Sequence, residues 1–347
     1  MKKVAILFGG KSSEYEVSLT SAMGAYANID KEKYDVSLIG ITRDGRFYLY
    51  RGDPALITED RWESGDTLPL SLDLSRGRLT VSENGEVRDL DIDAVLPMIH
   101  GKNCEDGTIQ GMFTLAGIPF AGCGCQSSAV CMDKASTKAI ISGTGIRQAK
   151  AVVLKPECFS DIEGTKEKCA SLGYPLFIKP SRAGSSVGIT KVKTEDGLEA
   201  ALRTAFDEDD KVLVEEAIPG KREIEVAVLE EHGKYTVAHP AEIDSGSAEF
   251  YDYETKYVTD VSSFHIPALI PDDDQEKVMG YAETIFRTLD CRGFARVDFF
   301  YTGKGEFVFN EINTLPGFTP ISMYPKMMIH DGISYGDLIS RLIESAL

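Results

Sequence analysis

The chain has 347 residues, of which 43% are hydrophobic and 27% are charged; this length indicates two or three domains, and this composition gives no sign of long disorder. With 37 basic and 55 acidic residues the net charge is −18, which argues against nucleic acid or an anionic membrane as a partner. Any bound polyphosphate must then be held by local cations, Mg²⁺ and backbone N–H groups.

The first third of the chain predicts an α/β domain that closes near residue 121. Residues 4–8 form a buried strand of the parallel type, and Gly9-Gly10 leads from it into a helix. Further strands are predicted at 34–42, 93–99 and 118–121, with a hairpin turn at Asn84-Gly85 and a short helix at 108–116. The glycine turn lacks GxGxxG, so a dinucleotide-binding fingerprint is not supported.

Glu16 and His100 are two polar residues of this domain that are predicted close to the ends of strands. Ser13 and Glu16 fit a capping box, which predicts Glu16 at the start of the first helix, beside the glycine turn. In open α/β sheets this edge binds ligands, so Glu16 can be both a cap and a ligand-facing group. His100 ends the strand at 93–99; a histidine there can be functional, although a lone histidine is most often structural.

The middle of the chain predicts a small α+β unit with a phosphate-binding loop. A helix through Lys134 ends near 143–145, and strands and helices are predicted at 148–154, 161–172, 195–206 and 211–218. Lys179 ends a further strand, and the loop GSSVG at 184–188 follows it. Such a loop exposes successive backbone N–H groups to a phosphate. An ordinary glycine hairpin is the alternative, and Lys179 makes phosphate binding the better interpretation.

The last third of the chain predicts strands at 223–229 and 235–243 and helices at 272–289 and 335–346. Between them, residues 244–263 form an aromatic-rich loop without periodicity. A long loop of this kind is often an active-site lid. The alternative is a loop fixed in place by tyrosine packing.

A hairpin at residues 293–317 carries the clearest chemical pattern. Its strands are predicted at 294–301 and 306–313, joined by a turn at 303–305. Because side chains alternate along a strand, Arg296 and Asp298 share one face of the first strand, and Glu311 and Asn313 share one face of the second. Carboxylate and amide oxygens suit Mg²⁺, and an arginine beside them would face a phosphoryl group or an oxyanion. The alternative is a hairpin with a solvated charged face.

The seven cysteines are scattered without paired CxxC spacing and predict reduced thiols in the cytoplasm. His100, Cys104, Cys123 and Cys125 could be imagined as a zinc site, but their spacing matches no standard zinc motif. The five apolar residues after Lys2-Lys3 are too few for a signal peptide, and no later stretch is long enough to span a bilayer.

Six segments together resemble the D-alanine–D-alanine ligases of the ATP-grasp superfamily: FGGKSSEYEVS, HGKNCEDG, FIKPSRAGSSVGITKV, FYDYETKY, ARVDFF and FNEINTLPGFT. The resemblance runs from residue 8 to residue 328. It implies an ATP-grasp fold of mixed α/β and α+β class with three domains. These are an N-terminal parallel α/β domain (1–121), a central lid domain (122–215) and a C-terminal domain (216–347) that carries the lid loop 244–263. ATP would lie between the last two domains.

The resemblance implies a nucleotide site with two Mg²⁺ ions, for which Mn²⁺ could substitute. Asp298, Glu311 and Asn313 would hold the metals. The residues implied to contact the phosphates, the adenine or the ribose of ATP are Lys134, Lys179, Ser186, Val187, Gly188, Glu215, Glu216, Ile218 and Glu223. The turn before Glu223 is one residue longer than is usual in the family.

The resemblance also implies an amino-acid site. Glu16 would bind the ammonium group of the first D-alanine together with Ser185 and Tyr257. Arg296 and the N–H of Gly317 would form an oxyanion hole. Ser322, with Lys256, would hold the carboxylate of the second amino acid, and His100 and Met323 would be further substrate-binding residues; Lys256 and Tyr257 come from the lid loop.

The implied reaction is ATP-dependent ligation of two D-alanines for peptidoglycan precursors. The first carboxylate attacks the γ-phosphate to give D-alanyl phosphate and ADP, and the second amine then displaces phosphate. The implied enzyme is a cytoplasmic homodimer that acts on small molecules. A different carboxylate–amine ligase of the superfamily would lack the EYEVS and YDYETKY pair, and a non-enzymatic nucleotide-binding module would be expected to lack one of Asp298, Glu311 and Asn313.

Three positions depart from the family pattern. Cys104 replaces a usual glycine in the HGKNCEDG turn, Pro320-Ile321 replaces a common Ser-His, and Met323 stands where leucine is usual. HGKN and SRAGSS are closer to the vancomycin-resistance D-alanine–D-serine ligases, which makes D-serine ligation the alternative activity. Met323 is apolar and offers a D-serine hydroxyl no partner, so the sequence predicts D-alanine as the preferred second substrate with measurable D-serine activity.

Overall fold

The computed structural model describes residues 1–244 and 263–347. In these ranges the chain forms three β-sheets with helices packed around them. None of the described helices is long and apolar enough to cross a membrane. The predicted lid residues Lys256 and Tyr257 lie outside the described residues.

The first sheet has seven strands in the order β6-β5-β4-β3-β2-β1-β7. The strands are β1 (Lys2–Gly9), β2 (Tyr34–Ile41), β3 (Phe47–Tyr50), β4 (Thr67–Asp73), β5 (Arg78–Glu83), β6 (Glu86–Leu90) and β7 (Ala94–Pro97). β1 pairs in parallel with β2 and β7, and residues 4–8 are fully buried, as predicted. The polar segment adds an antiparallel meander, β3 to β6. Its predicted turn at Asn84-Gly85 is confirmed, with positive φ at both residues as a type I′ hairpin requires.

The helices of this region are α1 (Tyr15–Asn28), α2 (Ala55–Thr58) and α3 (Thr108–Ala116). The predicted capping box is wrong: Glu14 is the N-cap residue of α1, and the helix has no side-chain cap. The Glu16 carboxylate instead accepts from Arg43 at 2.7 Å, a charge-assisted bond on the outer surface. The strand predicted at 118–121 reduces to a single bridge between Val95 and Phe120.

The second sheet has four antiparallel strands in the order β10-β9-β11-β8. Its region contains α4 (Cys125–Met132), α5 (Lys134–Ile141), β8 (Ala151–Leu154), α6 (Ile162–Ala170), β9 (Leu176–Pro180), β10 (Thr190–Val192), α7 (Leu198–Glu208) and β11 (Val212–Glu216). The single helix predicted through Lys134 is broken at Asp133. The Asp133 side chain caps α5 by accepting from Ser136 N at 3.1 Å and also accepts from Ser181 Oγ at 2.7 Å. This tertiary bond explains why the break was not evident from the sequence.

The third sheet has the order β15-β14-β12-β16-β17, and β13 also pairs with β12. Its region contains β12 (Arg222–Glu231), β13 (Lys234–Val237), β14 (Ala241–Asp244), β15 (Ser263–His265), α8 (Asp272–Thr288), β16 (Phe294–Gly303), β17 (Glu306–Asn313), α9 (Met323–His330) and α10 (Tyr335–Ser345). The strand predicted at 235–243 is split before Ala241, because Pro240 lacks the N–H that a sheet requires. Helix α9 was not predicted, and it contains Pro325 in its first turn, where proline is tolerated.

The apolar core of the first sheet continues into the end of the chain. Phe318, Tyr324, Leu338 and Leu342 belong to the same buried cluster as the residues of β1. The same cluster includes Leu229 and Phe294 of the third sheet. Helix α9 contacts β12, and α10 contacts both β7 and β12, so these helices join the first and third sheets. The predicted boundaries near 121 and 215 separate the three sheets along the chain and otherwise remain a prediction.

Candidate functional site

The hairpin β16–β17 brings four predicted site residues together. Its register places Arg296 opposite Asn313 and Asp298 opposite Glu311, with a bulge directly after Asp298. Arg296 makes a bidentate ion pair with Asp298, with both N–O distances at 2.8 Å. The strand alternation predicted from the sequence thus builds one polar wall with a guanidinium group, two carboxylates and an amide.

The oxygens of this wall fit a divalent metal ion. Glu311 Oε2 lies 3.3 Å from Lys134 Nζ, and Asn313 Oδ1 accepts from Leu315 N at 3.0 Å. Among the described residues, no three His, Cys, Asp or Glu side chains converge as a metal site. A hard cation such as Mg²⁺ takes one or two protein carboxylates and completes its shell with water and substrate phosphates. Asp298 and Glu311, with the amide oxygen of Asn313, match that requirement.

Glu225 is a third carboxylate of this wall that the sequence analysis did not select. It lies opposite Asp298 on the neighbouring strand β12, and its Oε2 is 3.3 Å from Arg296 Nε. Glu223 and Glu225 share one face of β12 because they are two residues apart. The sequence feature that could have identified Glu225 is this pair of acidic residues on a strand that is otherwise rich in buried apolar residues.

Two cavities meet at the polar wall. The first cavity is lined by residues that include Glu14, Ser185, Arg296, Gly317, Ser322 and Met323. The second cavity lies between the second and third sheets, and its lining includes Lys179, Ser186, Glu216, Ile218, Glu223 and Phe300. Both linings combine apolar side chains with a few convergent charged groups, as small-molecule sites do. Lys134, Glu225 and Glu311 line both cavities, so groups bound in the two cavities can meet there.

The structure brings Glu14, and not the predicted Glu16, to the first cavity. Ser185 Oγ donates to Glu14 Oε1 at 2.6 Å, and Glu14 is only 6% exposed. The Glu16 side chain is 58% exposed and is bound to Arg43. Residues two apart on a helix point in nearly opposite directions, so only one of the two carboxylates can face the cavity.

Glu105, in the segment HGKNCEDG, is a buried carboxyl group of the first cavity for which the sequence predicted no role. Its Oε1 accepts from Gly101 N at 3.0 Å, and its buried Oε2 has no hydrogen-bond partner among the described residues. Burial and the nearby Glu14 raise the pKa of Glu105 to about 8. An acidic group of this kind can exchange a proton near neutral pH.

Glu215 pairs with two lysines, of which Lys179 lines the second cavity. Lys179 Nζ and Lys138 Nζ each lie 2.6 Å from one oxygen of this buried carboxylate. Burial opposes ionisation of Glu215, but the two lysines outweigh it and lower its pKa to about 2. Burial likewise disfavours the charged form of Lys179, and Glu215 reverses the effect and raises the pKa of Lys179. Glu215 therefore fixes Lys179 in the cavity wall and favours its charged form.

The glycine-rich loop covers both cavities. Ser185 lines the first cavity and Ser186 lines the second, and both have positive φ. The close approach of Glu14 favours glycine at position 184, because a Cβ there would lie 2.6 Å from Glu14 Oε1 and the carboxylate would have to move. Val187 and Gly188 are not part of either cavity lining.

His100 lies beneath the site and not in the lining of either cavity. Its Nδ1 donates to Leu315 O at 2.8 Å, and its Nε2 accepts from Ser21 Oγ at 2.9 Å. Burial lowers the pKa of His100, which favours this neutral form. Ser21 Oγ in turn accepts from Phe318 N at 3.1 Å. The structure thus supports the alternative that His100 is structural, and it fixes the segment around Gly317.

Gly317, Ser322 and Met323 lie at the entrance to helix α9. A Cβ on Gly317 would lie 2.6 Å from Ser322 Oγ, so any other residue at this position would displace the Ser322 hydroxyl. Ser322 Oγ accepts from Thr319 N at 3.0 Å, which ties the Gly317 turn to the helix start. Cys104, the departure in the HGKNCEDG turn, is not among the residues with positive φ, so this turn does not require glycine there.

Known proteins match the chain over its whole length. The family profiles described as D-ala D-ala ligase N-terminus and C-terminus match residues 3–123 and 140–344. The D-alanine–D-alanine ligase of Thermoanaerobacter sp. (strain X514) is 45% identical, with 100% of this chain and 96% of the relative covered. The VanG D-Ala:D-Ser ligase from Enterococcus faecalis has 43% identity and a TM-score of 0.90, with 100% and 99% covered. The D-alanine–D-alanine ligase from Coxiella burnetii has 34% identity and a TM-score of 0.85, with 100% and 95% covered.

Proposed function

Because the chain belongs to the D-alanine–D-alanine ligase family, we propose that it joins two D-alanines to D-alanyl-D-alanine, with ATP and a divalent metal, for peptidoglycan synthesis. The observation that carries this proposal is the junction of the two cavities at Lys134 and Glu311. A ligase of this type must bring a carboxylate and the γ-phosphate of ATP together, and a shared wall of cation and metal ligand does so. A cytoplasmic homodimer remains the proposed form of the enzyme.

We assign ATP to the second cavity. Lys134 and Lys179 would contact the phosphates, with Ser186 above them, while Glu216 and Ile218 would line the adenine pocket and Glu223 would reach the ribose. Glu215 acts through the lysines that it holds. Two Mg²⁺ ions, with Mn²⁺ as a substitute, would be held by Asp298, Glu311 and Asn313, and they would neutralise charge on the transferred phosphoryl group.

We assign the two amino acids to the first cavity. Glu14, with the Ser185 hydroxyl that it accepts from, would bind the ammonium group of the first D-alanine in place of the predicted Glu16. The Gly317 N–H and Arg296 would face the oxygen that becomes negative when the second amine attacks. Ser322 and Met323 would form the wall next to the second amino acid. Lys256 and Tyr257 keep their proposed lid role.

The proposed reaction proceeds in two steps, and the chain's residues act by positioning and charge. The first D-alanine carboxylate attacks the γ-phosphorus, the bond to the β-phosphate oxygen breaks, and ADP leaves. The second amine then attacks the D-alanyl phosphate carbonyl, and phosphate leaves as the tetrahedral intermediate collapses. Arg296 and Lys134 stabilise the developing negative charge in the two steps.

The D-alanine–D-serine activity is the second candidate, and the likeness to the Enterococcus faecalis D-Ala:D-Ser ligase favours it. Met323 favours D-alanine, because its buried apolar side chain lines the first cavity beside Ser322. We propose D-alanine as the preferred second substrate, with measurable ligation of D-serine.

The test is an assay of the purified protein with ATP, Mg²⁺ and D-alanine, in which ADP, phosphate and the dipeptide are quantified by mass spectrometry. One D-alanyl-D-alanine should form for each phosphate released. Reactions without Mg²⁺ or without D-alanine are the controls and should release only background phosphate. Phosphate release without dipeptide would contradict the proposal.

A further inference from the structure

Lys221 places a cation in the second cavity that none of the roles above uses. It lies in the turn before β12, at the base of the cavity between the second and third sheets. Its Nζ donates to Glu223 Oε1 at 2.8 Å and lies 3.8 Å from the centroid of the Phe300 ring. Its side chain is 22% exposed, so the chain holds a partly buried lysine against an aromatic ring in the cavity wall.

The surroundings make this lysine costly to keep charged. Burial lowers the pKa of Lys221, the nearby Lys179 and Lys191 lower it further, and Glu223 opposes the change. The cation–π contact with Phe300 and the ion pair with Glu223 offset this desolvation cost only in part, because the pKa of Lys221 is still lowered. An apolar side chain of similar length would fill the same space without that cost. The cost indicates a recognition role for the ammonium group.

The pair offers a donor and an acceptor side by side. A lysine ammonium group only donates hydrogen bonds, and an ionised carboxylate only accepts them. Phosphate oxygens accept only, so they have no use for Glu223. The neighbouring hydroxyl groups of a ribose both donate and accept, and they can bond to the two members of the pair at once.

We propose that Lys221 recognises the ribose of the bound nucleotide together with Glu223, and thereby selects ribonucleotides over deoxyribonucleotides. Lys221 Nζ donates to a sugar hydroxyl oxygen, and it also keeps the Glu223 carboxylate ionised and oriented toward the sugar. The inference rests on the proposed assignment of ATP to the second cavity, and it adds a residue that the family resemblance does not supply.

The experiment compares the wild-type protein with Lys221→Met for ATP, 2′-deoxy-ATP and 3′-deoxy-ATP. Methionine keeps an unbranched side chain on Phe300 and removes the donor. For ATP we expect KM to rise about tenfold, as for the loss of one charge-assisted hydrogen bond, with kcat changed less than about twofold. One of the two deoxynucleotides should lose nothing further, because the hydroxyl that Lys221 contacts is already absent from it.

Three further variants test the assignment of Lys221 to the ribose. Lys31→Met removes an exposed lysine that lies 4.1 Å from the Tyr26 ring, outside both cavities, and should behave as the wild type. Lys221→Arg should restore part of the discrimination, since it keeps a donor. The double variant Lys221→Met with Glu223→Gln should lose less than the sum of the two single losses, because the residues act as a pair.

Two outcomes would overturn the inference. An equal rise of KM for ATP and both deoxynucleotides would place Lys221 on the phosphates, and no change would leave it a packing residue. Equilibrium binding of ADP, 2′-deoxy-ADP and 3′-deoxy-ADP repeats the comparison without any ligation step. A failure of the proposed ligase activity would therefore be seen separately from a failure of ribose recognition.

Discussion

At the scale of single residues, the buried carboxyl groups of the site differ because their neighbours differ. Glu215 lies between two lysines, which outweigh the effect of burial and lower its pKa to about 2. Burial and the nearby Glu14 raise the pKa of Glu105 to about 8, and the hydrogen bond from Gly101 N and the charge of Lys134 offset this only in part. The same side chain is thus a fixed anion in one cavity and a group that titrates near neutral pH in the other.

The first prediction concerns the pH dependence of stability. The fold favours protonated Glu105, so its contribution is complete below the unfolded pKa of 4.5 and is lost as pH rises through the folded value of about 8. Relative to Glu105→Gln, the unfolding free energy of the substrate-free wild type should fall by a few kcal/mol between about pH 5 and about pH 8. Urea unfolding at several pH values measures it. Parallel profiles for the two proteins would refute the assignment.

The second prediction separates Glu14 from Glu16. Glu14→Gln removes the carboxylate charge that we propose binds the ammonium group of the first D-alanine. The KM for the first D-alanine should therefore rise by about tenfold to a hundredfold. Glu16→Gln makes the same change on the exposed side of α1 and should leave both KM values near those of the wild type. Initial rates at varied D-alanine concentration give these KM values for both variants. A larger effect of Glu16→Gln would restore the assignment made from the sequence.

At the scale of elements, the break between α4 and α5 positions Lys134, which we propose contacts the phosphates of ATP. Asp133 caps α5, accepts from Ser181 and pairs with Lys211, and the next residue is Lys134. The backbone N–H of Lys134 also donates to Ser181 O at 2.9 Å. The cap therefore ties the start of α5 to the second sheet, and this contact sets where the Lys134 ammonium group enters the cavities.

The third prediction tests this cap. Asp133→Ala should lower the unfolding free energy by about 1–2 kcal/mol and should also raise KM for ATP. Asp161→Ala is the matched control, since Asp161 caps α6 through Gly164 N at 3.0 Å on an exposed surface. The control should lose similar stability and keep its KM for ATP. If both variants kept that KM, the cap would serve only stability.

Local patterns determined which elements could be predicted. The hairpin β16–β17 followed from strand alternation and a glycine turn, and its register confirms the pairing of Asp298 with Glu311. The helix starts depended on distant partners, because Ser185 engages Glu14 and Ser181 engages Asp133. Neither contact has a signal in the neighbouring sequence. The sequence therefore predicted the group of side chains that one hairpin brings together, and it selected Glu16 in place of Glu14 where segments distant in the chain converge.

At the scale of the whole molecule, the two ends of the chain share one core. Phe318 and Tyr324 pack in the cluster of the first sheet, and His100 holds Leu315 from the same side. The third sheet supports the Gly317 turn as well, because the Phe294 ring contacts Phe318 and the Tyr324 hydroxyl donates to Val228 O. Arg296 stands on the third sheet, so the geometry of the proposed oxyanion hole depends on how the first and third sheets pack through this shared core.

The last prediction concerns the second substrate, which the whole first cavity selects. Met323 is 8% exposed, and its apolar side chain offers a methyl group a matching wall. An apolar wall rejects an added hydroxyl weakly, so selectivity for D-alanine over D-serine should not exceed about a hundredfold. Met323→Arg should shift this ratio toward D-serine by supplying a donor to its hydroxyl. Ile321→Arg adds the same charge at an exposed residue of the same lining and serves as the control.

The measurement is competition between equal concentrations of the two amino acids, with both dipeptides quantified. Predominant D-alanyl-D-serine from the wild type would show that the enzyme acts as a D-serine ligase despite Met323.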